Sequence, residues 1–168
     1  MSKLVRAALG IGLWWQMCTP GFAADLGTWR ELTAQEEAIR IAGIPPASIA
    51  PSVIEGDFNG DGIVDRAMIA IRTTDQVRGL IAIMNDHVHV IVGDPGAVAD
   101  RDGLGLALPG RWNPVCGNAL RKFHECDARQ PTAIDLTITG ILFIGENATV
   151  LYYWDEKSAG FRSAVMVD

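Results

Sequence analysis

Apolar positions along this chain keep two different periods. Over 33–42 they recur at helical spacing, with Ala38, Ile39, Ile41 and Ala42 forming an apolar side. Thr33 is placed to cap that helix and Glu36, three residues on, to complete a capping box. Gly43 and then Pro45 and Pro46 end it. Beyond it the pattern is strand-like. The stretch 63–72 is rich in Ile, Val and Ala, and 79–84 and 87–92 flank the turn Asn85-Asp86, which reads as a hairpin. Further strands are expected over 133–139, 141–144, 148–154 and 161–167, separated by short turns. Consecutive strands with short connections imply antiparallel pairing. The expected fold is therefore α+β and β-rich, an N-terminal helix packed on a mainly antiparallel sheet. The Gly-, Pro- and Arg-containing stretch 94–130 is expected to be irregular, with few core residues of its own.

The first residues set apart a leader. Lys3 and Arg6 precede the apolar run 7–15, and Gly21, Phe22 and Ala23 follow. A positive start, a short apolar core and small residues at a cleavage site are the parts of a secretory signal peptide. This reading divides the chain into a signal peptide, 1–23, and a single domain, 24–168, with cleavage after Ala23 or Ala24. The apolar run is shorter than the roughly 20 residues of a membrane span, so no stable membrane insertion is expected after processing. An uncleaved anchor or a buried N-terminal helix is the alternative. Met17 before Cys18 argues against a lipoprotein. Periplasmic or secreted localisation follows.

Charge narrows the partners. The chain carries 14 Lys and Arg against 20 Asp and Glu. Loss of Lys3 and Arg6 with the leader would take the formal charge from −6 to −8. Nucleic acid needs clustered cations, and an anionic membrane surface would repel such a chain. A divalent cation or a basic partner is compatible with it. Cys116 and Cys126 would survive processing. In an oxidising compartment this even pair at short range reads most simply as one disulfide, the alternative being a reactive or metal-binding thiol pair.

The chemistry concentrates in Glu55-Gly56-Asp57-Phe58-Asn59-Gly60-Asp61-Gly62-Ile63-Val64-Asp65. Side-chain oxygens recur at Asp57, Asn59 and Asp61, and again at Asp65. Ca2+ is a hard cation that takes about six to eight oxygen ligands, and a tight loop supplies them by turning alternate side chains inward. Gly62 permits the bend that brings the Ile63 carbonyl into such a shell, and Gly60 eases the neighbouring turn. Magnesium, with its stricter octahedral demand, fits less well. An EF-hand would need a carboxylate at the twelfth position, where this chain has Met68. The same residues could also form a metal-free turn held by Asx-type hydrogen bonds.

This segment resembles the calcium loop of FG-GAP and VCBS-type repeats, in single copy. The resemblance implies that Asp57, Asn59, Asp61 and Asp65 give side-chain ligands and Ile63 its carbonyl, in a loop linking two strands. It spans about a dozen residues, and no second copy accompanies it, which argues against a propeller of several blades. A wider likeness runs through the helix, the loop, Arg78-Gly79-Leu80, Gly103-Leu104-Gly105, Cys116-Gly117, Cys126 and Tyr153-Trp154-Asp155. In that order they resemble a group of small exported bacterial proteins, which implies compartment and fold but no activity.

Other constellations read as ordinary surface or core. His87 and His89 lie two apart and with His124 could hold zinc or copper, though two exposed residues beside a turn are the plainer reading. Trp112, Tyr152, Tyr153 and Trp154 could form a carbohydrate platform, but alternation sends some of them into the core. Arg101, Arg111, Arg121 and Lys122 could form a basic patch or a solvated loop. Asn147-Ala148-Thr149 has sequon form. No nucleophile elbow, zinc-protease helix or phosphate loop occurs, so no catalytic residue is assigned and no enzyme is expected. The function expected is an exported calcium-binding module, its calcium structural, that engages an as yet unidentified protein or cell-envelope component. A periplasmic inhibitor or immunity-type protein and a metal-assisted hydrolase are the rivals.

Export and disulfide formation are checked together by intact mass. The exported protein is expected to lack residues 1–23 or 1–24 and to be short of the two thiol hydrogens. Recovery of the full-length chain with free thiols would contradict both.

Overall fold

The computed structural model describes residues 25–117, 126, 130–146 and 148–166. Eleven strands and one α-helix are formed among them. In chain order they are β1 (Trp29–Glu31), α1 (Ala34–Ile41), β2 (Val53–Gly56), β3 (Asp65–Arg72), β4 (Arg78–Met84) and β5 (His87–Val92). There follow β6 (Gly103–Ala107), β7 (Gly110–Trp112), β8 (Ile134–Leu136), β9 (Gly140–Ile144), β10 (Thr149–Asp155) and β11 (Gly160–Met166). The helix, the hairpin and the C-terminal strands stand close to where the hydrophobic pattern places them. None of the described helices is long and apolar enough to cross a membrane.

All described pairings are antiparallel, but they build more than one sheet. The first runs β1-β3-β4-β5, with β2 also on β3. β1 pairs with the C-terminal part of β3 (Glu31 opposite Ala70) and β2 with the N-terminal part (Val53 opposite Met68, Gly56 opposite Asp65). The second sheet runs β11-β10-β9-β6, and β7 and β8 make a separate ribbon. The two main sheets meet just before β2, where the Leu104 amide donates to the Pro51 carbonyl at 2.7 Å. Asn85 and Asp86 turn the β4–β5 hairpin with φ of 49° and 63°, the left-handed pair that a two-residue hairpin loop requires.

The stretch 94–130, expected to be irregular, contains β6 and β7 and buries Val98, Leu104, Ala107 and Val115. Glycine explains why the pattern hid β6. A Cβ on Gly103 would lie 2.4 Å from the Ala50 Cβ, so the strand must be bare there for the two sheets to meet, and glycine carries little strand signal.

One core cluster fills the space between the sheets. Ala67 and Ile69 of β3 and Leu80, Ala82 and Met84 of β4 meet Leu104, Ile141 and Phe143. Met68 and Ala70, on the other face of β3, pack with Trp29, Ile81 and Ile83. β10 alternates in the same way. Tyr152 and Trp154 join the first cluster, and Tyr153 joins Trp112 in a third. The four aromatics therefore form no common platform.

The helix departs from expectation in the side it buries. Its capping box is formed, Thr33 Oγ1 accepting from the Glu36 amide and Glu36 from the Thr33 amide. Ile39, however, is 59% exposed, Ala38 and Ala42 are exposed, and the buried residue is Arg40 at 1%. Its guanidinium donates to both carboxylate oxygens of Glu37 (2.8 and 2.7 Å), to the Asp102 carbonyl (3.0 Å) and to the Ala50 carbonyl (2.8 Å). A planar fork of five donors can enter an interior that an ammonium could not, provided its hydrogens find acceptors.

These burials set a stability contrast. Leu104→Ala should cost about 2–5 kcal/mol, whereas Ile39→Ser should stay within about 0.5 kcal/mol of the parent. Denaturant unfolding measures both, and a large loss at Ile39 would contradict the observed helix orientation.

Candidate metal centre

The loop that joins β2 to β3 begins with an apolar anchor. Phe58 is fully buried and belongs to the core between the sheets. Its amide donates to Asp65 Oδ2 at 2.8 Å, tying the start of the loop to the first residue of β3. Gly60 and Gly62 both take positive φ, 81° and 82°, which a side chain would strain. A Cβ at Gly60 would also meet Ile138 Cγ2 at 3.0 Å, so the loop lies against the β8–β9 connection.

Each remaining polar side chain turns onto the loop's own amides. Asp57 accepts from Gly60 (2.7 Å) and Gly62 (3.0 Å). Asn59 accepts from the Asp61 amide (3.0 Å), and Asp61 from the Ile63 amide (2.8 Å) and from Asn59 Nδ2 (2.9 Å). Asn85 reaches across from the β4–β5 turn to Asp61 Oδ2 at 2.7 Å. The Ile63 amide, then Asn59 and Asn85, hold the Asp61 carboxyl below its ordinary range. Both flanks are strands and Met68 is buried in β3, so the loop has no EF-hand helix pair.

Asp65 is the exception. It is 2% exposed, and its Oδ1 is buried with no hydrogen-bond partner among the described residues. Burial pushes its pKa up, and the charges of Asp61 and Asp57 add to that, against the Phe58 amide. Leaving a buried carboxylate oxygen unpaired is costly. Hard oxygen donors, with one carboxylate oxygen orphaned beside two other carboxylates, suit a hard divalent cation. A carboxylate offers about four lone-pair sites, so the amide bonds to Asp57 and Asp61 leave capacity for an ion. The described residues contain no gathered set of three or more His, Cys, Asp or Glu at metal-holding distance. The carboxylates are thus neighbours in the loop and are not drawn onto one centre.

The weaker constellations separate. His87 and His89 share a side of β5, opposite Met84 and Ala82. His89 packs edge-on against Trp154 with ring centroids 5.7 Å apart, and burial, then His87, lowers its pKa. Arg101 donates to the Ala42 carbonyl at 3.4 Å, and Arg111 pairs with Asp135 at 3.3 Å. His124, Arg121, Lys122 and Asn147 lie outside the described residues, as do residues 1–24. Cys116 and Cys126 are joined, their Cα atoms 5.7 Å apart. Sequence reading missed Phe58 as the loop's anchor and Asn85 as its outer partner. Phe58 carried a signal, the lone apolar residue in a run of Asp, Asn and Gly. Asn85 carried none, because 24 residues separate it from Asp61.

No family model, curated protein or solved structure matches the chain.

The raised pKa of Asp65 fixes a sign. A carboxyl whose folded pKa exceeds its unfolded value stabilises the fold while protonated, and that contribution is lost as pH rises from the unfolded through the folded pKa. Asp65→Asn, uncharged at neutral pH, should melt no lower than the parent in chelator. It should instead gain far less from added calcium. Thermal melts with and without calcium measure both, and an equal calcium increment in the two proteins would remove Asp65 from the site.

Proposed function

We propose that this chain is an exported calcium-binding module, its calcium structural, that engages a protein or cell-envelope partner. The observation that carries the reading is the buried, unpaired Asp65 Oδ1 at the end of a loop built from Asp57, Asn59 and Asp61. These four side chains and the Ile63 carbonyl would hold the ion, as the resemblance to FG-GAP and VCBS-type loops implies. Bound calcium would supply positive charge among three carboxylates of one loop, and so fix the connection between β2 and β3. Export is supported by the composition of residues 1–23, and by the Cys116–Cys126 bond, which persists in oxidising compartments.

An ion that binds only the folded chain stabilises it, by about 2.7 kcal/mol at a hundredfold excess over the dissociation constant. Calcium, at affinities of roughly 10⁻⁴–10⁻³ M or tighter, should therefore raise the melting temperature, and magnesium should do so much less. Asp57→Ala or Asp61→Ala should abolish most of the increment, and His87→Ala should leave it intact. Calorimetry showing no heat of binding at millimolar calcium, with both loop variants melting like the parent, would refute the reading.

A further inference from the structure

Beside the loop is a cavity of about 220 Å³ lined by Glu55, Ile63, Val64, Ile83, Asn85 and Asp86, and also by Asp65 and Arg66. Its walls are of two kinds. Ile63 and Val64 are 52% and 61% exposed, large apolar side chains on a loop whose other apolar residue, Phe58, is buried. Glu55 and Asp86 are exposed carboxylates with no ion pair among the described residues. The basic member, Arg66, already has its guanidinium on Glu31, and Asn85 is held by Asp61.

We propose that this cavity receives one arginine or lysine side chain from an apolar segment of a partner protein, and that calcium in the adjoining loop prepares it. Small-molecule pockets run to about 300–1,000 Å³, so this one suits a side chain better than a cofactor. An arginine or lysine combines an apolar stem with a cationic head. The stem matches Ile63, Val64 and Ile83, and the head matches Glu55 and Asp86. Charge-assisted bonds to carboxylates are the stronger kind, and a formally acidic chain favours a cationic partner over an anionic one. The inference rests on the calcium reading, because Ile63 and Val64 belong to the loop that the ion would fix. With the Asp65 charge committed to calcium, Glu55 and Asp86 remain to meet the cation.

The probe is a fluorescently labelled seven-residue peptide with a central arginine between leucines, paired with the same peptide carrying glutamate at the centre. Anisotropy is read on the purified full chain in millimolar calcium and in chelator, with calcium binding followed separately by calorimetry. In calcium the arginine peptide should bind about tenfold or more tighter than the glutamate peptide, a difference that chelator removes. Glu55→Gln with Asp86→Asn should abolish the preference while leaving the melting temperature and calcium binding unchanged. Val64→Ser should weaken the arginine peptide and spare calcium binding. Equal affinity for the two peptides in calcium-loaded protein would overturn the proposal and leave the calcium reading standing. A preference that persists in chelator, with no calcium bound, would uphold the cavity's chemistry and overturn its control by calcium. Sedimentation showing a dimer that the Glu55→Gln and Asp86→Asn pair dissociates would make a second copy the occupant and overturn the assignment to a partner protein.

Discussion

The hydrogen bond from the Phe58 amide to Asp65 depends on where the Phe58 ring sits. With its ring in the core between the two sheets, Phe58 cannot follow the rest of the loop into solvent. Its backbone N–H is thereby presented to the carboxylate that opens β3. One oxygen of that carboxylate is satisfied and the other is held in the interior without a partner. Both the loop's shape and the unpaired oxygen at Asp65 follow from this. Without the buried ring, Asp65 could turn outward and hydrate.

The loop was legible because its chemistry is local. Asp57, Asn59, Asp61, Gly62 and Asp65 lie within nine consecutive positions, and a run of Asp, Asn and Gly marks the turn between β2 and β3. The hairpin at Asn85-Asp86 and the capping box at Thr33 and Glu36 were legible for the same reason, each being settled by four or fewer adjacent residues. What was hidden depends on contacts between distant parts of the chain. β6 needs Gly103 bare against Ala50, a requirement visible only once two sheets are known to meet there. Periodicity put Ile39 on the helix's apolar side, a set that left out Arg40. The structure reverses them because the Ala50 and Asp102 carbonyls stand where the helix arrives. A hydrophobic count cannot register acceptors supplied by another segment.

Arg40 also separates the two polar interiors of the molecule. Each of its three nitrogens finds an acceptor within the chain, a carboxylate on one side and two carbonyls on the other. Asp65 is equally buried and is left incomplete. Two ionisable residues of similar burial thus carry different meanings, one closing a structural joint and the other leaving a valence open.

The division of one edge of β3 between two short strands has a consequence for local opening. β4 pairs along the opposite edge from Arg66 to Ile71, whereas β1 and β2, of three and four residues, each cover a shorter part of this one. Segments open as units whose free energy follows the contacts they alone hold. The end of β3 at Ala70 and Ile71 is therefore protected by β1 and the Trp29 indole, and the end at Asp65 to Met68 by β2 and the loop. Hydrogen exchange along this single strand would report two separate events, fraying of the N-terminal segment at one end and opening of β2 with its loop at the other.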